Sequence, residues 1–174
     1  MKRNEISFDL AAKKDVPEIY ALMKTVYEGL DDRSLYVCDD IEYVKKHINS
    51  KGFIVKSCND DGKIVGSFIF RYPGMQEDNL GRDIGLAEGE LPKVVHMDSA
   101  VVLPEYRGHG LQSAMLSYAE KLIDKKQYSY FMATVSPNNP ASYKSLEKNG
   151  YHLVLTKEKY GGLIRRIYLK EINP

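Results

Sequence analysis

The sequence predicts an α/β fold, and two observations carry that expectation. The periodic segments run strand, helix, helix, two hairpin strands, strand, helix, strand, helix and a closing hairpin. Residues 94–116 pass from an apolar strand through a basic glycine turn directly into a helix. At 174 residues the chain is expected to form one domain, 1–174, with a core that needs no staples.

Ile6, Phe8 and Leu10 alternate across residues 5–12 and predict a first strand. Asp15 and Glu18 form a capping-box pattern ahead of Ile19, Leu22, Met23, Val26 and Leu30, an amphipathic helical stripe. Asp39 and Glu42 repeat the pattern for a second helix with Ile41, Val44 and Ile48 on its face and Gly52 as its stop. Residues 53–58 and 63–72 predict a hairpin around Asp60-Asp61-Gly62. After the central strand and its helix come a strand near 130–135, a helix opened by Asn139-Pro140 and stopped at Asn149-Gly150, and a hairpin turning at Gly161-Gly162.

Pro104 ends the central strand, and Leu111, Ala114, Met115, Tyr118 and Leu122 recur at helical spacing after the turn. A helix start of this kind is an anion site: its first N–H groups lack intrahelical partners, and the dipole adds positive charge. Gly108 and Gly110 allow close approach of a phosphate, and Arg107 adds a formal charge. A P-loop is excluded, because no Gly-Lys-Ser/Thr occurs anywhere in the chain. A dinucleotide fingerprint fits poorly, because Ser113 stands where a third glycine belongs.

The run Arg107-Gly108-His109-Gly110-Leu111-Gln112 resembles the acetyl-CoA pyrophosphate loop of the GCN5-related N-acetyltransferase (GNAT) family, with Gln112 where Gly or Ala is usual. Asn139-Pro140-Ala141-Ser142, followed by Gly150-Tyr151, is similar to that family's later motif, and the resemblance covers about residues 5 to 172. It implies the GNAT (acyl-CoA N-acyltransferase) fold, a central mixed, mostly antiparallel sheet flanked by helices. It also implies acetyl-CoA as co-substrate, held by the backbone of Ala100, Val101 and Val102, by Arg107, Gly108, His109, Gly110, Leu111, Gln112 and Ser113, and by Asn139 and Ser142. The implied function is transfer of acetyl from acetyl-CoA directly to a primary amine of a small acceptor, a cationic one if the chain's acidic connections focus it. The alternative is an acyl-CoA-binding module with little or no turnover.

Acetyl transfer to an amine needs a proton acceptor and a route for protonating the leaving thiolate. His96 and Asp98 lie two apart on the central strand, so strict alternation puts them on one face with Val94, Ala100 and Val102. His96 is suited to act as the base, and Asp98 acts as a base if burial raises its pKa, orients His96 or binds the ammonium group; the bland reading makes both satisfied polar groups within the sheet. Many GNAT enzymes place a Tyr seven residues after the motif's Asn, where this chain has Leu146. Tyr143, one turn earlier, or solvent takes the place of that acid. His109 and His152 lack partners at metal-ligand spacing, so no metal is expected. Arg165 and Arg166 are expected at the edge or surface.

Two acidic connections, Glu28 to Asp40 and Gly74 to Pro92, are expected either to focus a cationic amine or simply to be solvated. A formal net charge of +1 argues against a broad nucleic-acid surface. Cys38 and Cys58 are read as buried free thiols in a reducing compartment. Residues 1–5 lead into no apolar signal core and no long apolar run follows, so a cytoplasmic protein with no membrane partner is expected. Exposed strand edges leave a homodimer open.

Overall fold

The computed structural model describes residues 5–173; the leader reading drawn from residues 1–4 lies outside them. A seven-stranded sheet organises the chain: β1 (Ser7–Leu10), β2 (Gly52–Cys58), β3 (Ile64–Arg71), β4 (Val94–Val102), β5 (Tyr130–Val135), β6 (His152–Lys159) and β7 (Leu163–Glu171). Its order is β1-β2-β3-β4-β5-β7-β6. Only β4 and β5 pair in parallel; every other neighbour is antiparallel. The helices are α1 (Val16–Glu28), α2 (Ile41–Lys46), α3 (Leu80–Asp83), α4 (Leu111–Leu122) and α5 (Pro140–Lys148).

Helix α1 buries Val16, Ile19, Leu22, Met23 and Val26, the stripe expected from their spacing. These join Val44, Ile54, Val65, Ile69 and Val101 in one apolar cluster. Met115, Leu116 and Ala119 of α4 and Leu146 of α5 build a second cluster, with Phe68, Phe70, Val95, Met97 and Phe131. Ile19 and Met23 are fully buried, each contributing about 1.5–3 kcal/mol relative to exposure.

Several local expectations are corrected. Asp15 does not cap α1: its carboxylate accepts from the Ala12 N–H at 2.8 Å and from Lys56 Nζ at 2.9 Å, while Glu18 accepts from the Ile64 N–H. The preceding 3₁₀ turn (Lys13–Asp15) takes Asp15 through Ala12, and tertiary partners take the rest. The cap of α2 is Asp40, not Asp39, and accepts from the Tyr43 N–H at 2.8 Å. Gly52 opens β2 rather than stopping a helix. Residues 74–92 are not a bare loop: they hold α3 and a 3₁₀ turn from Glu88, pinned by the buried Asn79 amide on Gly74 O and Leu91 O. Cys38 and Cys58 are free but only half-buried.

Strict alternation along β4 also fails. Ile69 pairs with Ser99 and Phe70 with Met97, leaving Asp98 as the extra residue of a β-bulge. Met97 and Ala100, three residues apart, therefore pack against the same cluster. His96, Asp98 and Ala100 do not share one regular face.

Candidate active site

The ladder between β4 and β5 spans only three pairs, from Val94 with Tyr130 to His96 with Met132. Beyond His96 the strands part, and a cleft of about 870 Å³ opens between them. The bulge sits at this fork, so Asp98 is aimed into the opening, as bulges commonly re-aim a side chain.

One end of the cleft is built from the glycine turn. Gly108 and Gly110 have φ of 79° and 74°, left-handed values that favour glycine. The first helical bond of α4 runs from Ala114 N to Gly110 O, so the N–H groups of Leu111, Gln112 and Ser113 precede the ladder. Gln112 sends its side chain to Ser142 Oγ at 3.1 Å, on α5, rather than across the turn. Arg107 lines the cleft and donates from Nε to Val102 O at 3.1 Å. Residues 97–102 of β4 have β3 on one side and no ladder with β5 on the other. A positive helix start beside a one-sided strand edge suits a ligand with a diphosphate at one end and amides along its arm.

Ala100, Val101, Val102, Arg107, Gly108, Gly110, Leu111, Gln112, Ser113, Asn139 and Ser142 all line the cleft. Of the predicted cofactor residues, His109 alone is not among its walls. Asn139 caps α5, accepting from the Ser142 N–H at 3.3 Å.

The other end is polar and partly closed. Tyr43 on α2 donates its hydroxyl to Asp98 in a short bond. Tyr36 bonds Ser99 Oγ at 2.9 Å. Burial pushes the Asp98 carboxyl above its usual range, against the opposing pull of Tyr43 and Arg71. Asp39 rises to about 7 through burial and the charges of Asp98 and Asp40. Arg71, closing the Phe68-Ile69-Phe70 run of β3, pairs with Asp78. Tyr160 reaches from the β6–β7 turn to Thr134 on β5, hydroxyl to hydroxyl at 2.8 Å.

Of the other two predicted catalytic residues, His96 lines the cleft and Tyr143 does not. His96 is 3% exposed, and its Nε2 accepts from the Leu80 N–H at 3.0 Å, so that nitrogen is engaged. Burial and nearby Arg71 lower its pKa to about 3, making it a neutral acceptor that ties the 74–92 segment to β4. Tyr143 does not line the cleft; its ring lies under the Arg166 guanidinium at 4.6 Å. Leu146 fills the wall beside it instead.

Within the Gly74 to Pro92 connection, three acidic residues are paired inside the fold. Asp83 pairs with Lys157 and Lys159, Glu90 with Lys93, and Asp78 with Arg71. Of the acidic residues in the two acidic connections, Asp39 and Asp78 reach the cleft wall. Arg165, expected at an edge, is 4% exposed and also lines it. Sequence reasoning missed Tyr36, Tyr43, Arg71, Thr134 and Tyr160; the one available signal was a lone arginine closing the apolar run of β3.

Comparison with known proteins decides the family. The sequence profile of the acetyltransferase (GNAT) family matches residues 16–151. The chain belongs to the GNAT family. Its enzyme class is therefore acetyl-CoA-dependent N-acetyltransferase. This GNAT chain is similar to S-alkylcysteine N-acetyltransferase of Bacillus subtilis (strain 168), at 24% identity over 164 residues, 90% of this chain and 84% of that protein. Its fold matches the GNAT-family acetyltransferase of Streptococcus pneumoniae with a TM-score of 0.73 at 17% identity, covering 97% of this chain and 100% of that one. It also matches yncA of Salmonella typhimurium, solved with its cofactor acetyl-CoA, with a TM-score of 0.67 at 15% identity over 98% and 95% of the two chains. Among the described residues, no cluster of three or more His, Cys, Asp or Glu is placed to hold a metal, and no helix is long and apolar enough to cross a membrane.

Proposed function

We propose that this chain, acting as a single acetyltransferase domain, moves acetyl from acetyl-CoA directly onto the primary amine of a small acceptor. When bound, acetyl-CoA supplies a thioester carbonyl: the C–N bond forms, the C–S bond breaks, and the thiolate takes up a proton. The observation that carries the reading is Asp98 on a bulge at the fork of β4 and β5, between a phosphate-suited helix start and a polar pocket. The acceptor named by the Bacillus subtilis relative, S-alkylcysteine, is a small molecule with a primary amine and supports the same class.

In this reading Asp98 takes the ammonium proton, and its elevated pKa brings it nearer the amine's own. Tyr43 holds the carboxylate in position and Arg71 limits how far its pKa climbs. His96 serves as a positioning residue, fixing the Leu80 segment against β4. Backbone N–H groups of residues 108–113 and the edge at residues 100–102 hold the diphosphate and the pantetheine arm. Solvent protonates the thiolate, since Tyr143 lies away from the cleft.

The test is coenzyme A release over a panel of primary amines, for the native chain and for Asp98→Asn. Amine-dependent release is expected, with kcat/KM rising with pH as Asp98 loses its proton. The variant should fall about 10²-fold or more in turnover, lose that limb and keep its acetyl-CoA affinity. Tight cofactor binding with no release by any amine would overturn the reading in favour of a binding module.

A further inference from the structure

We infer that the acceptor is a free α-amino acid with an apolar side chain, its carboxylate held by Arg165 while its amine faces Asp98. This deepens the acetyl-transfer reading and rests on it. Arg165 is 4% exposed and carries a fixed positive charge. It donates to Ile164 O at 3.1 Å and to Ser34 O at 2.5 Å, leaving further N–H groups of its five to spend. Among the described residues no carboxylate lies within ion-pair distance of it. Asp32 feels its charge without forming an ion pair with it, and turns one oxygen, Oδ1, to the Ser34 N–H and hydroxyl.

Two other cations of the cleft wall already have counter-ions. Arg71 has Asp78, and Lys159 has Asp83. A buried guanidinium without a counter-ion is costly unless an anion arrives to complete it, and its planar fork matches a carboxylate in two bonds. The Tyr160 hydroxyl feels both Asp98 and Arg165, so the acidic and basic groups bracket the same end of the cleft. Val26, Leu30, Leu35 and Val37 line that cleft as well, and Val37 remains 41% exposed. An anion socket, an amine-facing carboxylate and an apolar wall in one cavity select a zwitterion with a greasy side chain. A polyamine would leave Arg165 unanswered.

The experiment compares matched trios: L-methionine and L-leucine, their carboxamides, and their decarboxylated amines. Coenzyme A release is followed for the native chain and for Arg165→Gln, with rates referred to the free-amine fraction. The native chain should prefer each acid over its amide and its amine at least tenfold in kcat/KM. Arg165→Gln should bring that preference to within about threefold of unity, chiefly through a higher KM for the acid. Arg165→Lys, which keeps the charge without the fork, should retain an intermediate preference and covers the case in which the glutamine variant misfolds. Equal rates across each trio in the native chain, or an undiminished preference in a folded Arg165 variant, would overturn the carboxylate anchor. Absence of release with these compounds while other primary amines of the wider panel release coenzyme A would overturn the amino-acid acceptor, whereas absence across the whole panel would remove the acetyl-transfer reading beneath it.

Discussion

The Leu80 N–H points at Nε2 of a histidine that is 3% exposed, and this one bond has a consequence for acid stability. His96 has a folded pKa of about 3, below the ordinary 6.5, because burial and Arg71 disfavour its charged form. Between those values the unfolded chain binds a proton that the folded chain does not. The contribution is therefore fully present above pH 6.5 and is lost as pH falls through that window, at about 1.4 kcal/mol per pH unit. His47, also lowered by burial, acts in the same direction. His96→Gln, whose amide oxygen reaches the position of Nε2, offers an acceptor to the Leu80 N–H without titrating. Its melting temperature is expected to fall less steeply than that of the native chain between pH 6.5 and 4.5, with the His47 slope left in both. Parallel slopes would show that His96 is not the titrating group.

Elements show where backbone detail decides. Residue 52, read from sequence as a helix stop, begins β2, and a Cβ there would lie 2.0 Å from Phe70 O across the ladder. Gly52→Ala must push backbone, so a loss of about 3 kcal/mol or more is expected in chemical denaturation. Gly62→Ala is the contrast: its φ is +78° but nothing lies within 4 Å, so a loss of about 1 kcal/mol is expected from backbone strain alone. Equal losses at the two sites would remove the steric account. The same distinction explains what was legible. The β4–turn–α4 unit, the Asn139 cap and the two hairpins follow from residues close in sequence, and local spacing gives nearly their observed ends. The bulge at Asp98 and the burial of Arg165 depend on partners distant in sequence, Ile69 with Phe70 and Ser34. No local period records such pairings. The capping pattern at Asp15 fails in part for the same reason, since distant Lys56 shares the carboxylate with the Ala12 N–H.

At the scale of the molecule, β1–β4 with α1 and β5–β7 with α5 are joined across the sheet by only the short parallel ladder of β4 and β5. Helix α4 adds a second tie: Gln112 bonds Ser142, and Asn149 donates to Ser113 at 2.8 Å. The proposed cofactor site lies across that seam, with β4 and the glycine turn on one side and β5 and α5 on the other. A ligand that engages both sides binds the folded chain alone, so occupancy must appear as stability. At a concentration a hundredfold above Kd the gain is about 2.7 kcal/mol, which for a chain of this size raises Tm by about 5–10 °C. Coenzyme A should produce this shift, and its separate nucleotide half, which carries the diphosphate, should produce a smaller one. Arg107→Ala should weaken both by a similar factor, because the charge it removes stands at the glycine turn, whereas free pantetheine should bind both proteins alike. No thermal shift with coenzyme A would count against the turn at Gly108 to Ser113 as the diphosphate site; a shift carried entirely by pantetheine and unmoved by Arg107→Ala would place the affinity on the β4 edge instead.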